Sequence, residues 1–195
     1  MELLFATNNK HKLIEIKQLL NSNVNIISLS DIGIQDVVNE TGKTFEENAL
    51  LKAKYYYEKT RLNVFADDSG LEVYALNNEP SIYSSRYAGE EGNDKKNIIK
   101  LLNKLEHITD RRAQFRCCIA LILNNKEYFF EGIVKGHITT KPLGNNGFGY
   151  DPIFIPEGYD ITFAQMTLEQ KNQISHRSIA IKKLANFLNS LHELV

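Results

Sequence analysis

The sequence predicts a mixed α/β fold in which a long antiparallel hairpin is added to a parallel beginning. Its two ends and its middle carry that prediction. The chain opens with a short apolar run, a polar loop, a helical pattern and a second apolar run, the order of a βαβ unit. In the middle, two long strand-like runs flank Asn124-Asn125-Lys126, a hairpin turn. The closing segment places Ile181, Leu184, Ala185, Leu188 and Leu191 on one helical face.

In order along the chain, residues 3–6 are apolar and read as a buried strand, and residues 7–12 are polar. Leu13, Ile16, Leu19 and Leu20 recur at helical spacing, and residues 24–29 read as a second strand. Thr44-Phe45-Glu46-Glu47 has the spacing of a capping box and predicts a helix through about Lys59. Residues 64–66 predict a strand entering a turn at Asp67-Asp68-Ser69-Gly70, with another strand over 71–76. Asn93 or Asp94 caps a helix through Leu105. Residues 113–123 and 127–138 are the hairpin strands, a glycine-rich segment spans 142–152, and a last helix runs from about Arg177 to His192.

The chain has 195 residues, 43% hydrophobic and 24% charged, enough for one sizeable core or for two lobes sharing it. A net charge of −1 argues against a nucleic-acid polymer as partner, which would need a basic surface. No window has the length of a transmembrane helix, and the start lacks the pattern of a signal peptide, so no membrane association is expected. Cys117 and Cys118 are adjacent in a strand-like run and face opposite ways. They read as small core residues of a reduced, cytoplasmic protein.

Several segments carry residues suited to chemistry. Adjacent carboxylates such as Asp67 and Asp68 repel each other, and Mg²⁺ relieves that repulsion with its preferred oxygen ligands. The loop Thr7-Asn8-Asn9-Lys10-His11-Lys12 joins a strand to a helix start, where backbone N–H groups and lysines suit an anion. Glu40 precedes a glycine turn and offers a metal another carboxylate, while Asn48 and Lys52 share a helix face. Glu47 reads as the capping-box residue. Glycines flank Phe148 in Gly147-Phe148-Gly149-Tyr150-Asp151, so its ring can stack on a planar base while Asp151 accepts hydrogen bonds from the base edge. Ser175 reads as the N-cap of the last helix, with His176 and Arg177 in its first turn. No zinc spacing and no nucleophile elbow occurs.

Taken in order, these segments resemble the Ham1/RdgB family of inosine triphosphate pyrophosphatases over nearly the whole chain. The resemblance rests on Thr7-Asn8-Asn9 with Lys12 and Glu15, then on Glu40-Thr41-Gly42 with Thr44-Phe45 and Glu47-Asn48-Ala49. It continues through Ala66-Asp67-Asp68-Ser69-Gly70-Leu71, Ser85-Arg86-Tyr87, Gly147-Phe148-Gly149-Tyr150-Asp151-Pro152 and Ser175-His176-Arg177. It implies one elongated, mixed-sheet α/β domain over residues 1–195, with two lobes and a central cleft, typically a homodimer. It implies that Thr7, Asn8, Asn9, Lys10, His11 and Lys12 bind the triphosphate, with Lys52 a further phosphate contact and Ser69 beside the substrate. Glu40 and Asp68 would hold Mg²⁺, and Asp68 would accept the proton of the attacking water. Phe148, Gly149, Tyr150, Asp151, Lys171, His176 and Arg177 would form the nucleoside pocket. The chain departs from the family's pattern at Asn8 and His11, where glycine is usual, and at Asn39, where many relatives are acidic.

The expected reaction is Mg²⁺-dependent hydrolysis of non-standard purine nucleoside triphosphates (ITP, dITP, XTP) to the monophosphate and pyrophosphate. The expected role of Asp67 is to raise the proton affinity of Asp68. Competing readings are a Maf-like nucleotide pyrophosphatase of different base preference and a nucleotide-binding sensor without turnover. The acidic pair, Glu40 and Lys52 favour an enzyme, because a sensor needs no general base.

Overall fold

The computed structural model describes residues 2–19 and 24–192. Leu20, expected on the first helix, lies outside them, as does the side chain of His192. The strands are β1 (Glu2–Phe5), β2 (Asn25–Ser28), β3 (Val64–Val73), β4 (Arg112–Leu123), β5 (Lys126–Ile138) and β6 (Phe154–Pro156). The helices are α1 (Lys10–Leu19), α2 (Phe45–Thr60), α3 (Asp94–Lys104), α4 (Leu168–Ile174) and α5 (His176–His192). The strands form a mixed sheet in the order β2-β1-β3-β4-β5-β6. β1 runs parallel to both β2 and β3, as a βαβ beginning requires, and β5 is antiparallel to β6. Asn124 and Asn125 close the β4–β5 hairpin with φ of 50° and 64°, the left-handed pair of a type I′ turn.

The chain divides into two compact units. The first comprises Met1–Asp68, Cys117–Gly132 and Arg177–Val195. It is a layered unit in which strand alternation sorts the core onto two faces. Leu3, Phe5, Phe65, Cys117 and Ile119 pack with Ile16 of α1 and with Ala180, Ile181, Leu184 and Leu188 of α5. Leu4, Ala6, Val64, Ala66, Ala120 and Ile122 pack with Ala49, Ala53 and Tyr56 of α2. Phe5 and Phe65 are register partners on β1 and β3, and their rings stack at 4.6 Å. The second unit comprises Ser69–Arg116 and Ile133–His176. Its core gathers Leu71, Val73, Ile98, Leu101, Phe115, Tyr150, Phe154 and Phe163.

Three expectations change. The turn expected at residues 67–70 does not form, because β3 runs unbroken from Val64 to Val73 with Asp67 and Asp68 buried inside it. Partners on other elements override the low strand propensity of Asp-Asp-Ser-Gly. The expected strand over 71–76 is the end of β3 followed by a single 3₁₀ turn, Tyr74–Leu76. Half of the capping box forms at α2. Thr44 Oγ1 accepts from Glu47 N–H at 3.1 Å, but Glu47 Oε2 accepts from Lys43 N–H rather than that of Thr44.

Helix α4 lay outside the sequence expectations. Thr167 and Gln170 form its full capping box, and Thr162 and Gln165 form another around the 3₁₀ turn Phe163–Gln165. Ser175 is extended (φ −66°, ψ 154°) between α4 and α5, the backbone state of an N-cap.

Candidate active site

Strand alternation puts Asp67 and Asp68 on opposite faces of β3. Asp67 shares the α1/α5 face with Phe65 and Cys117, and Asp68 shares the α2 face with Ala66. Each carboxylate therefore meets its own set of partners within the first unit.

On the α1/α5 face lies a buried chain of charges. Lys12 Nζ is 2.9 Å from Asp67 Oδ2, and Arg177 Nε donates to the same oxygen at 3.3 Å. Arg177 Nη1 donates to Glu15 Oε2. Arg177 is 1% exposed and Glu15 4%. Burial pushes the Asp67 carboxyl up, but the Lys12 and Arg177 charges outweigh it and hold the group well below the ordinary carboxylate range. Burial likewise opposes the Arg177 charge, and Glu15 and Asp67 more than restore it. Asp67 Oδ1 accepts no hydrogen bond among the described residues. The Cys117 thiol sits 3.8 Å from Asp67 Oδ2 and is pushed up, chiefly by burial.

On the α2 face, Asn48 Nδ2 donates to Asp68 Oδ2 at 3.0 Å. Lys52, one turn later, pairs with Glu40. Burial would strip the Lys52 proton, but Asp68, Glu40 and Asp67 outweigh it and keep the ammonium charged. Asp68 is raised above its ordinary value, first by burial and then by the Glu40 charge, against the lowering effect of Lys52. The leading charge that raises Asp68 is Glu40, ahead of the expected Asp67. Asn39 is exposed, and Glu40 is the half-buried partner of Lys52. Among the described residues, no group of three or more His, Cys, Asp or Glu side chains could hold a metal.

The loop before α1 is held by its own side chains. Thr7 Oγ1 accepts from Asn9 N–H at 3.2 Å, and Asn9 Oδ1 accepts from His11 N–H at 2.9 Å and Lys12 N–H at 3.2 Å. Asn9 is therefore the N-cap of α1. Asn8 Nδ2 donates to the Asp36 carbonyl at 3.1 Å. Lys10 and His11 are exposed. A cleft of about 300 Å³ lies against the loop, lined by Thr7, Asn8, Asn9, Lys10, Ser30 and Gln35 among others.

The second unit holds Ser69, half-buried on β3, and most of the residues expected around a nucleoside. Lys171 is buried and donates to Asp151 Oδ2 at 2.7 Å, with its ammonium 4.9 Å from the centre of the Phe148 ring. Asp151 Oδ2 also accepts from Phe148 N–H at 3.0 Å. Gly147, at φ +75°, lets the loop close there, since a Cβ would stand 2.0 Å from that oxygen. Gly149 N–H donates to Asp94 Oδ2 at 2.6 Å, and the Tyr150 hydroxyl donates to the Ser84 carbonyl at 2.9 Å. His176 is buried, with its ring parallel to Phe115 at 4.7 Å.

Arg177, expected among these residues, donates to Glu15 and Asp67 in the first unit. Sequence reasoning left Asn48 without a role. The signal for Asn48 was present in its helical spacing with Lys52, but its contact with Asp68 depends on tertiary packing.

The model of the Ham1 family matches residues 3–187. The chain is 51% identical over 190 residues to a protein of Flavobacterium psychrophilum named dITP/XTP pyrophosphatase, covering 97% of this chain and all of that one. It resembles the solved Ham1 protein of Staphylococcus aureus with a TM-score of 0.89 and 48% identity, covering 97% of this chain and 99% of that one. It resembles that of Coxiella burnetii with a TM-score of 0.90 and 40% identity, over the same shares.

Proposed function

The chain belongs to the Ham1 family, and from that premise we propose that it is a nucleoside-triphosphate pyrophosphatase acting on non-standard purine nucleotides. The substrates are dITP and XTP, the names its relatives carry, together with ITP. The products are the monophosphate and pyrophosphate. The observation that carries the reading is the setting of Asp68, a buried carboxylate raised in proton affinity and fixed by Asn48, beside the Glu40–Lys52 pair.

The residues present fit Mg²⁺. Glu40 and Asp68 are two hard oxygen donors, and the Glu40 charge lies close enough to raise the proton affinity of Asp68. Mg²⁺ is commonly held by one or two carboxylates, with water and substrate phosphates completing its shell, so a cage of three protein carboxylates is not required. When bound, it would supply charge neutralisation for the phosphates.

The chain's own groups do the rest. Asp68 orients a water and takes its proton, a task suited to a carboxyl whose affinity is raised by burial. Lys52 stays protonated and offsets charge developing on the phosphates. The water oxygen bonds to phosphorus as the bond to the leaving pyrophosphate breaks. Lys12, held by Asp67, presents a second fixed cation. Asp67 and Arg177 act as the support that keeps Lys12 in place.

In the second unit, the Phe148 ring and the Lys171–Asp151 pair supply the stacking face and charged groups that a purine base requires. A pocket lined by donors would accept the oxo group of the base 6-position and leave an amino group unpaired there, which would disfavour adenine.

Pyrophosphate release from dITP, XTP, ITP, ATP, GTP and TTP, with and without Mg²⁺, tests the reading. Mg²⁺-dependent release is expected from dITP, XTP and ITP. No release from these three sinks it, and preferential hydrolysis of TTP favours the Maf-like alternative.

A further inference from the structure

We propose that Asn48 is a positioning residue that fixes the Asp68 carboxylate and ties it to the segment carrying Glu40. The inference deepens the pyrophosphatase reading and rests on it. Residues 34–44 form no helix or strand, so other parts of the chain must place Glu40. Asn48 is fully buried, and its planar amide is used at both ends. Oδ1 accepts from Gly42 N–H at 2.8 Å, and Nδ2 donates to Asp68 Oδ2 at 3.0 Å.

A carboxylate turns readily about its last torsion, where the rotamer wells are broad. A hydrogen bond on Oδ2 stops that rotation and thereby sets the direction of Oδ1. Gly42 lies two residues beyond Glu40, so the same amide also sets where the Glu40 segment stands relative to β3. The glycine is required by this approach, since a Cβ at position 42 would lie 2.6 Å from Asn48 Oδ1. One side chain thus fixes the spacing of the two carboxylates on which the proposed chemistry depends.

A buried asparagine also satisfies backbone groups, and a role limited to that would lower stability while sparing turnover. Asn48→Ala, Gly42→Ala and the double variant separate the two. The measurements are pyrophosphate release from dITP, binding of its α,β-methylene analogue by calorimetry, and urea unfolding. Each single variant is expected to lose roughly 100-fold in kcat, the scale of a misplacement of about 1 Å. Analogue affinity stays near wild type. The double variant is no slower than the slower single, because both break one link.

Gly42→Ala removes no buried side chain and carries the test if Asn48→Ala does not fold. Wild-type kcat in either single variant, or losses that multiply in the double, overturns the inference and leaves the pyrophosphatase reading standing. A wild-type chain that releases no pyrophosphate from dITP overturns that reading and the inference with it.

Discussion

Neighbouring residues of a strand face opposite sides of the sheet, and this chain uses that alternation to give two adjacent carboxylates opposite electrostatic surroundings. Asp67 meets Lys12 and Arg177, and its ionised form is favoured. Its contribution to stability is therefore present above the carboxyl pKa of the unfolded chain, about 3.9, and is lost as pH falls through the lower folded value. Asp68 is the reverse case. Its folded pKa lies above the unfolded one, so holding it ionised costs stability once pH rises past the unfolded value. Asp68→Asn removes that cost and keeps an acceptor for Asn48. In chelator at pH 7 the variant should melt higher than wild type, by on the order of a few degrees. A lower melting temperature would mean that the Asp68 charge is net stabilising where it stands. The sequence made the pair visible as chemistry, but which carboxylate was supported and which was raised depended on Lys12, Arg177 and Glu40, all distant along the chain.

At the scale of elements, Arg177 interlocks three. Its guanidinium sits at the start of α5, reaches Asp67 on β3 and reaches Glu15 on α1. Arg177→Met leaves two buried carboxylates short of their shared cation, a loss of about 3–5 kcal/mol. Urea denaturation should show a fall of that size. A change within about 0.5 kcal/mol, the range of an ordinary surface substitution, would show that the arginine braces nothing. The elements with strong periodicity were legible: α1, α2, α3, α5 and the β4–β5 hairpin stand close to where apolar spacing and turn residues put them. β3 was not, because a strand through Asp-Asp-Ser-Gly is bought by tertiary partners that local propensity cannot register. Helix α4 had a written signal in Thr167 and Gln170, but a helix this short offers little periodicity to draw attention to it.

At the scale of the molecule, the described groups sort by unit. The first unit carries Lys12, Glu40, Asn48, Lys52, Asp67, Asp68 and Arg177, the second Phe148, Asp151, Lys171 and His176. Among the described residues, no helix is long and apolar enough to cross a membrane. The first set has the cations and carboxylates of phosphate chemistry, and the second has the ring, cation and carboxylate suited to a base. The sequence made most of these residues visible by type and order, Arg177 among them, but its pairing with Glu15 and Asp67 came only with the packing of α5.

The central claim is that Asp68 accepts the proton of the attacking water. Its most direct test is the Asp68→Asn variant at saturating dITP and Mg²⁺, with pyrophosphate release and dITP binding measured on the same protein. The account predicts that release is abolished while binding is retained. Release near the wild-type rate would contradict it.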